Sequence, residues 1–240
     1  MGTRNAGRSG PSKRGFGPGR NRLLRAQQAR GRSLFNIWYH YSARLRRDVI
    51  LRSDVEFDHF CWLEGDPQVL RYELEPDPVI VVVQGEPART QYDALVYLRD
   101  GRTQLREVKD SEEQLTPREH IQRQAQEKAA SAAGFDYVRI TRADLIPSQQ
   151  LIQNWRTALA FLAACRELVL SSYCDELQRK LRKIRRADLE TLLAGSDPAL
   201  RSVYLAALFT CLQDGSFNSD LDCKPLCAAS VVWLTEDNRA

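Results

Sequence analysis

The chain contains 240 residues, of which 43% are hydrophobic and 28% are charged, proportions that are ordinary for a soluble globular protein. No uninterrupted apolar run approaches the length of a membrane span, and the N-terminus lacks the apolar core of a signal peptide. We therefore expect a cytoplasmic protein with no membrane partner, built from one large domain or from a medium domain and a small one.

The charge is distributed unevenly along the chain. Twelve Lys and Arg residues and no acid lie between Met1 and Arg47, whereas the rest of the chain has 23 basic and 31 acidic residues. Such a basic arm, residues 1–47, indicates a polyanion partner because neutralising phosphates releases counterions; a disordered solubilising tail has the same composition. We expect Arg20, Arg22 and Arg25 to contact the phosphates of double-stranded DNA.

The cysteines form no metal-binding pattern. Six cysteines are scattered without a CxxC pair, and there are only three histidines. A zinc site is therefore not expected. We interpret the cysteines as reduced thiols of a cytosolic protein.

In chain order, residues 1–33 are rich in Gly, Arg and Ser and are expected to be disordered. The next segment, Ser33–Arg47, interleaves aromatic residues with arginines. These aromatic residues either follow a DNA strand or dock the arm onto the body of the protein, and docking is the expectation for most of them. They are Phe35, Trp38, Tyr39 and Tyr41.

A helix is predicted from Ser53 to Leu63, since Ser53 and Glu56 have the spacing of a capping box and Gly65–Asp66–Pro67 ends the pattern. Four strand-like runs follow, and Asp100–Gly101 between the last two predicts a tight hairpin. The runs are Val69–Glu73, Val79–Gln84, Gln91–Leu98 and Thr103–Lys109.

Pro117 begins a second predicted helix, which extends to Ala133 and is ended by Gly134. Phe135–Thr141 is a further strand-like run. This order of elements predicts an α/β domain over residues 48–146, with a central mixed sheet and a helix on either face.

Beyond Pro147 the sequence predicts helices, followed by a β-like tail from Phe217 to Leu234 that includes the apolar run Val231–Leu234. Small helices before a β-like tail are typical of a winged-helix module, here over residues 147–240. The predicted helices are Leu151–Ala164, Tyr173–Arg185, Ala187–Ala194 and Pro198–Leu212.

A basic cluster precedes the helix that is predicted to begin at Ala187. Its side chains either bind DNA phosphates or form a solvated helix face, and the sequence favours neither. The cluster comprises Lys180, Arg182, Lys183, Arg185 and Arg186.

The residues that indicate chemistry are Asp93, Glu107 and Lys109. Glu107 and Lys109 are two apart on one predicted strand and therefore point to the same face, and Asp93 lies on the partner strand of the hairpin. Unpaired charge is expensive on an otherwise apolar face, and two carboxylates with water and a substrate phosphate form the oxygen shell that Mg²⁺ prefers. Lys109 can then orient the attacking water and offset the charge that develops on phosphorus.

Two alternatives remain for these residues. Lys109 can form an ordinary cross-strand salt bridge with Glu107 or Asp93, a pattern that arises often by chance in a chain this charged. Glu56 on the preceding helix can complete the metal shell, or it can serve only as part of the helix cap.

The order and spacing of several motifs resemble the N-terminal domain of TnsA-type transposon endonucleases. They are Ser53-x-x-Glu56, Asp66-Pro67-x-Val69-x-x-Tyr72, Tyr92-Asp93, Asp100-Gly101, Glu107-Val108-Lys109 and Gly134-Phe135-x-Tyr137-Val138-x-Ile140-Thr141. The resemblance covers Ser53 to Leu145, which is 93 of the 240 residues. The stretch with Leu208-Phe209, Gly215, Asp220-Leu221-Asp222 and Pro225-Leu226 also resembles that family's winged-helix region.

The resemblance implies a restriction-endonuclease-like fold and a metal-dependent nuclease that cuts the 5′ strands at transposon ends. A separate DDE-type transposase would cut the 3′ ends, an AAA+ ATPase regulator would join the two, and the protein would associate with the bacterial nucleoid when active. By the same resemblance Glu56, Asp93 and Glu107 would bind Mg²⁺ or Mn²⁺, and Lys109 would be the catalytic lysine.

Two other functions are compatible with the sequence. One is a restriction, repair or junction-resolving nuclease of the same fold. The other is a non-catalytic DNA-binding adaptor with a degenerate nuclease fold, which the presence of all three of Asp93, Glu107 and Lys109 disfavours.

Overall fold

The computed structural model describes residues 28, 36–111 and 116–235. Arg20, Arg22 and Arg25 therefore lie outside the described residues, as does nearly all of the segment that is expected to be disordered. None of the helices in the described ranges is both long enough and apolar enough to cross a bilayer.

The described chain begins with an antiparallel hairpin of two strands that the sequence patterns do not predict. Strand β1 (Trp38–Ser42) pairs with β2 (Arg47–Leu51). Trp38 stacks on Phe57 with ring centroids 4.2 Å apart. Docking onto the body of the protein is therefore the role of Trp38, as expected from the sequence.

The first described helix, α1, spans Asp54–Gly65, and the predicted helix is confirmed within two residues at its end. Ser53 is its N-cap, because the Ser53 hydroxyl accepts a hydrogen bond from the backbone N–H of Glu56 at 3.1 Å. Helix α1 then buries an apolar face against the central sheet and the C-terminal helices. The large side chains of that face are Val55, Phe57, Phe60 and Leu63.

The central sheet has four strands in the order β3-β6-β7-β8. Strands β3 (Val69–Leu74), β6 (Ala94–Leu98) and β7 (Thr103–Lys109) are antiparallel neighbours, and β8 (Asp136–Thr141) is parallel to β7. The predicted hairpin at Asp100–Gly101 joins β6 to β7. The sheet is therefore mixed, as predicted.

Helix α2 (Pro117–Ala133) connects β7 to β8, with the predicted bounds. Thr116 and Glu119 form a capping box at its start, and Gly134 ends it with φ of 70°, a left-handed conformation that favours glycine. Side chains of β7 contact α1 on one face and α2 on the other. The fold is therefore a mixed α/β fold with a mixed sheet flanked by helices.

A second hairpin packs on α2 instead of joining the central sheet. It consists of β4 (Val79–Val83) and β5 (Glu86–Thr90), and β5 has no counterpart among the predicted strands. The ammonium group of Lys128 on α2 donates to the backbone carbonyl of Val82 at 2.8 Å. This bond satisfies one backbone acceptor of β4.

The C-terminal half is helical with one small sheet. A short helix α3 (Arg142–Leu145) leads into α4, α5, α6 and α7, and the strands β9, β10 and β11 pair in the order β10-β11-β9. These elements span Gln149–Ala164 (α4), Ser171–Ile184 (α5), Arg186–Asp188 (β9), Leu189–Leu193 (α6), Arg201–Gln213 (α7), Phe217–Ser219 (β10) and Val231–Leu234 (β11).

The predicted helix Ala187–Ala194 is wrong at its start. Residues Arg186–Asp188 form β9, because they pair with Val231–Trp233 of β11, which is more than 40 residues away in sequence. Helix α6 begins only at Leu189, after the Asp188 side chain caps it through the Thr191 N–H at 2.7 Å. The distant pairing overrides the local helical pattern.

Two of the contacts between the C-terminal helices and the sheet layer are made by residues at the end of α1. Gly65 at the end of α1 lies directly against the indole of Trp155 on α4, and Trp155 is 1% exposed. The buried carboxylate of Glu64 accepts hydrogen bonds from the hydroxyls of Ser42 and Tyr72 and from the side-chain amide of Gln213 on α7. One hydrophobic core consequently contains residues from both halves of the described chain.

Replacing Gly65 with alanine should destabilise the protein by about 1–3 kcal/mol, because the new methyl group would overlap the ring of Trp155. Urea denaturation of Gly65→Ala measures this cost. In a Trp155→Leu background the same substitution should cost less than about 1 kcal/mol, since the smaller side chain leaves room. An equal cost in both backgrounds would show that the indole contact is not the cause.

Candidate functional site

Asp93 lies immediately before β6 and uses its side chain to continue the pairing with β7. Its backbone N–H donates a hydrogen bond to the carbonyl of Arg106 at 3.0 Å. Its side-chain Oδ2 accepts a hydrogen bond from the backbone N–H of Val108, two residues further along β7, at 2.6 Å. The predicted strand Gln91–Leu98 is therefore wrong at its start, since β6 begins at Ala94. At Val108 the hydrogen-bond acceptor is the Asp93 side chain and not a backbone carbonyl of the neighbouring strand. The predicted proximity of Asp93 to the Glu107–Lys109 segment is confirmed.

Glu107 and Lys109 share one face of β7, as their spacing predicts. The Lys109 ammonium lies 2.6 Å from Glu107 Oε1, and the amide of Gln126 on α2 donates to Glu107 Oε2 at 2.6 Å. Glu107 is 4% exposed, whereas the side chain of Lys109 is 43% exposed. The site thus has a buried acidic end and an accessible cationic end.

The charges at this site perturb one another. Burial, followed by the negative charge of Glu107, raises the pKa of Asp93 to about 7. Burial by itself would lower the pKa of Lys109, but the hydrogen bond to Glu107 and the charges of Glu107 and Asp93 outweigh it, so that the pKa is raised. Lys109 is therefore held as a cation, and Asp93 exchanges its proton near neutral pH.

Glu56 takes part in the start of α1 and also acts on Asp93. Its Oε2 accepts the backbone N–H of Arg52 at 2.8 Å, and burial raises the pKa of its carboxyl group. The negative charge of Glu56 also contributes to the raised pKa of Asp93. The structural role at the helix start is confirmed, and a role as metal ligand stays a prediction.

Gln126 is a site residue that the sequence patterns do not single out. Besides donating to Glu107, its amide donates to the carbonyl of Gln91 at 3.2 Å, and its oxygen accepts the Tyr137 hydroxyl at 3.1 Å. Gln126 is 2% exposed. The only sequence signal is its position one helical turn before the buried Ala130, on the inner side of α2.

The donor chemistry of the site fits a hard divalent cation. Asp93 and Glu107 supply carboxylate oxygens, and Mg²⁺ is commonly bound by one or two carboxylates with water and substrate phosphates completing the shell. The negative charge of Glu107 raises the cost of ionising Asp93, and a cation would relieve this cost. Within residues 36–111 and 116–235, no group of three or more His, Cys, Asp and Glu residues is arranged to hold a metal ion.

The basic cluster has one residue, Lys180, that is engaged in contacts within the protein and four whose side chains are exposed. The Lys180 ammonium donates to the Leu192 carbonyl at 3.2 Å and pairs with Glu176 at 3.2 Å, which places it among the C-terminal helices. The other four side chains of the cluster are exposed where α5 ends and β9 begins. They belong to Arg182, Lys183, Arg185 and Arg186.

No protein-family model matches the sequence, and no curated protein matches it.

Asp93→Asn should stabilise the metal-free protein at pH 8 but not at pH 4. The pKa of Asp93 in the folded protein lies above the value of about 3.9 in an unfolded chain, so wild-type stability falls as the pH rises through pH 4 to 7. The neutral amide removes this loss and can still accept the Val108 N–H, and we expect a rise of roughly 2–4 °C in the melting temperature at pH 8.

The measurement is thermal unfolding in EDTA at both pH values, with Asp136→Asn as the control because Asp136 is exposed. A gain for Asp93→Asn that is equally large at pH 4 would contradict the assigned pKa.

Proposed function

We propose that this chain is a magnesium-dependent DNA endonuclease with a restriction-endonuclease-like domain. The observation that carries the proposal is the convergence of the Asp93 and Glu107 carboxylates with the Lys109 ammonium at one end of the β6–β7 hairpin. An isolated salt bridge would need only one acid, whereas here a second, partly buried carboxylate lies beside the pair, and its burial and the negative charge of Glu107 raise its pKa.

Each residue has a defined role in phosphodiester hydrolysis. Asp93 and Glu107 would hold Mg²⁺ or Mn²⁺, with Glu56 as a further candidate ligand, and the metal would supply Lewis-acid stabilisation of the phosphate. The accessible Lys109 ammonium orients the attacking water and offsets the charge that develops as the water oxygen bonds to phosphorus and a phosphorus–oxygen ester bond breaks. Gln126 keeps Glu107 in the orientation that positions Lys109.

We further propose that the enzyme cuts the 5′ strands at transposon ends, with a DDE-type transposase and an AAA+ regulator as partners. The resemblance of the Ser53–Leu145 segment to TnsA-type endonucleases supports this assignment. The C-terminal order α5-β9-α6-α7-β10-β11, with the small sheet ordered β10-β11-β9, supports a winged-helix-like module beside the nuclease domain.

Asp93→Ala should reduce Mg²⁺-dependent nicking at least 100-fold while leaving DNA binding largely unchanged, because it removes a proposed metal ligand and no phosphate contact. The assay is nicking of a plasmid carrying the transposon ends, with and without Mg²⁺, for the chain alone and with its transposase added. Asp136→Ala is the matched control, since it removes an exposed aspartate at the far end of β8. Normal cutting by Asp93→Ala would refute the assigned site.

The same plasmid assay separates transposition from the alternatives. Cutting that requires the transposon ends supports the proposed biology, whereas equal cutting of a plasmid without them supports a restriction or repair nuclease. Calorimetric titration of the wild-type chain with Mg²⁺ or Mn²⁺ addresses the third alternative, because a DNA-binding adaptor would bind neither metal at Asp93 and Glu107.

A further inference from the structure

A cleft of about 630 Å³ lies between the C-terminal end of α5 and the small sheet, away from Asp93, Glu107 and Lys109. Three arginines line it together with one acidic residue, Asp214, several uncharged polar groups and one indole. Its principal lining residues are Gln178, Arg182, Arg185, Arg186, Ser216 and Trp233.

The geometry of the chain directs the three arginines into this cleft. Arg185 follows α5 with φ of 65° while its N–H donates to the Leu181 carbonyl at 2.7 Å, so the chain reverses direction at this residue before β9. Arg186 on β9 then lies over the indole of Trp233, 4.9 Å from the ring centroid. All three arginines are exposed, and none forms an ion pair with a carboxylate of the described part of the chain.

The helix that usually enters the DNA major groove in a winged-helix module is largely buried in this chain. The third helix of the module is α7. Eight of its thirteen residues are buried, it contacts α4 and α5, and only Arg201 and Ser202 at its start are exposed. The loop between β10 and β11 carries Asp220 and Asp222 against a single lysine, Lys224, which already pairs with Asp220 at 3.1 Å. The cleft therefore presents more exposed cationic groups than either of these two elements.

Arg99 connects the cleft to the hairpin that carries the nuclease site. It lies at the β6–β7 turn, and its guanidinium donates to the carbonyls of Asp214, which lines the cleft, and of Gln213 at 2.7 and 3.4 Å. With a rise of about 3.4 Å per residue, Lys109 at the far end of β7 lies roughly 20 Å along the strand from this turn. The cleft is therefore a separate surface fixed relative to the nuclease site.

We propose that this cleft binds the phosphate groups of a DNA duplex and is a second DNA contact of the endonuclease. The proposal rests on the proposed function, and it is carried by charge complementarity. Three arginines and one acid, Asp214, line the cleft, which gives the lining a net charge of +2, and no arginine of the three is ion-paired with a carboxylate of the described residues. Ser216 and Gln178 add neutral hydrogen-bonding groups. An arginine guanidinium can donate two hydrogen bonds to the oxygens of one phosphate group, and such contacts position a duplex independently of its base sequence.

The test compares two double charge reversals in the full chain. Arg182→Glu/Arg186→Glu alters the cleft, and Arg179→Glu/Lys183→Glu makes the same change in net charge on exposed residues of α5 that do not line it. Binding of a fluorescein-labelled 30-base-pair duplex is measured by anisotropy in EDTA at several salt concentrations. The cleft variant should bind at least about tenfold more weakly, with a salt dependence reduced by about two counterions, and the control should lose less than about threefold.

Equal losses in the two variants would overturn the proposal, because they would reflect overall charge alone. Inorganic tripolyphosphate is the second probe: competition with the duplex at micromolar concentration, abolished only in the cleft variant, would assign the site to a free polyphosphate and overturn the DNA assignment. Arg182→Gln/Arg186→Gln replaces the glutamate variant if the latter melts at a lower temperature than the wild type.

The outcome is distinguishable from a failure of the proposed function. If the cleft variant loses binding but nicks at the wild-type rate at saturating DNA, the cleft is a binding site and the nuclease site is intact. If Asp93→Ala nicks normally while the cleft variant loses binding, the DNA contact stands and the nuclease assignment fails. Wild-type binding by the cleft variant would overturn the cleft proposal whatever Asp93→Ala does.

Discussion

The burial of Glu107 between β7 and α2 is the constraint around which the rest of the site is arranged. A carboxylate that is 4% exposed must have its oxygens satisfied, and Lys109 and Gln126 each supply a hydrogen bond to one of them. Gln126 is in turn oriented by Tyr137 on β8. Asp93 adds a second carboxylate, to which only the Val108 N–H among the described residues donates a hydrogen bond directly, and the proposed metal would offset the negative charge of the two acids.

Three polar or steric contacts join the sheet layer to the C-terminal helices. Glu64 binds the Gln213 amide, Gly65 admits the Trp155 indole, and Arg99 binds the carbonyls that follow α7. In this packing most of α7 is buried and the arginines at the end of α5 are exposed, so they are the groups accessible to the proposed DNA partner. The same packing therefore shapes both the stability of the fold and the proposed path of the substrate.

Elements with strong local signals were predicted closely. Ser53 and Thr116 cap their helices, Gly134 ends α2, and Asp100–Gly101 turns the β6–β7 hairpin, because each acts within a few residues of itself. The strands β1, β2 and β5 were missed because their sequences show no clear alternation. The helix predicted from Ala187 was wrong at its start because its first residues pair with β11.

The sequence alone was sufficient to place Glu107 and Lys109 on one face of a strand, with Asp93 across the hairpin, because strand side chains alternate with a period of two. Tertiary packing was needed for the rest. It brought Gln126 onto Glu107, turned Asp93 toward the Val108 N–H, and separated Lys180 from Arg182 and Arg186. These relations join residues far apart in the chain or on different sides of a helix, and burial and charge compensation in the folded protein select them.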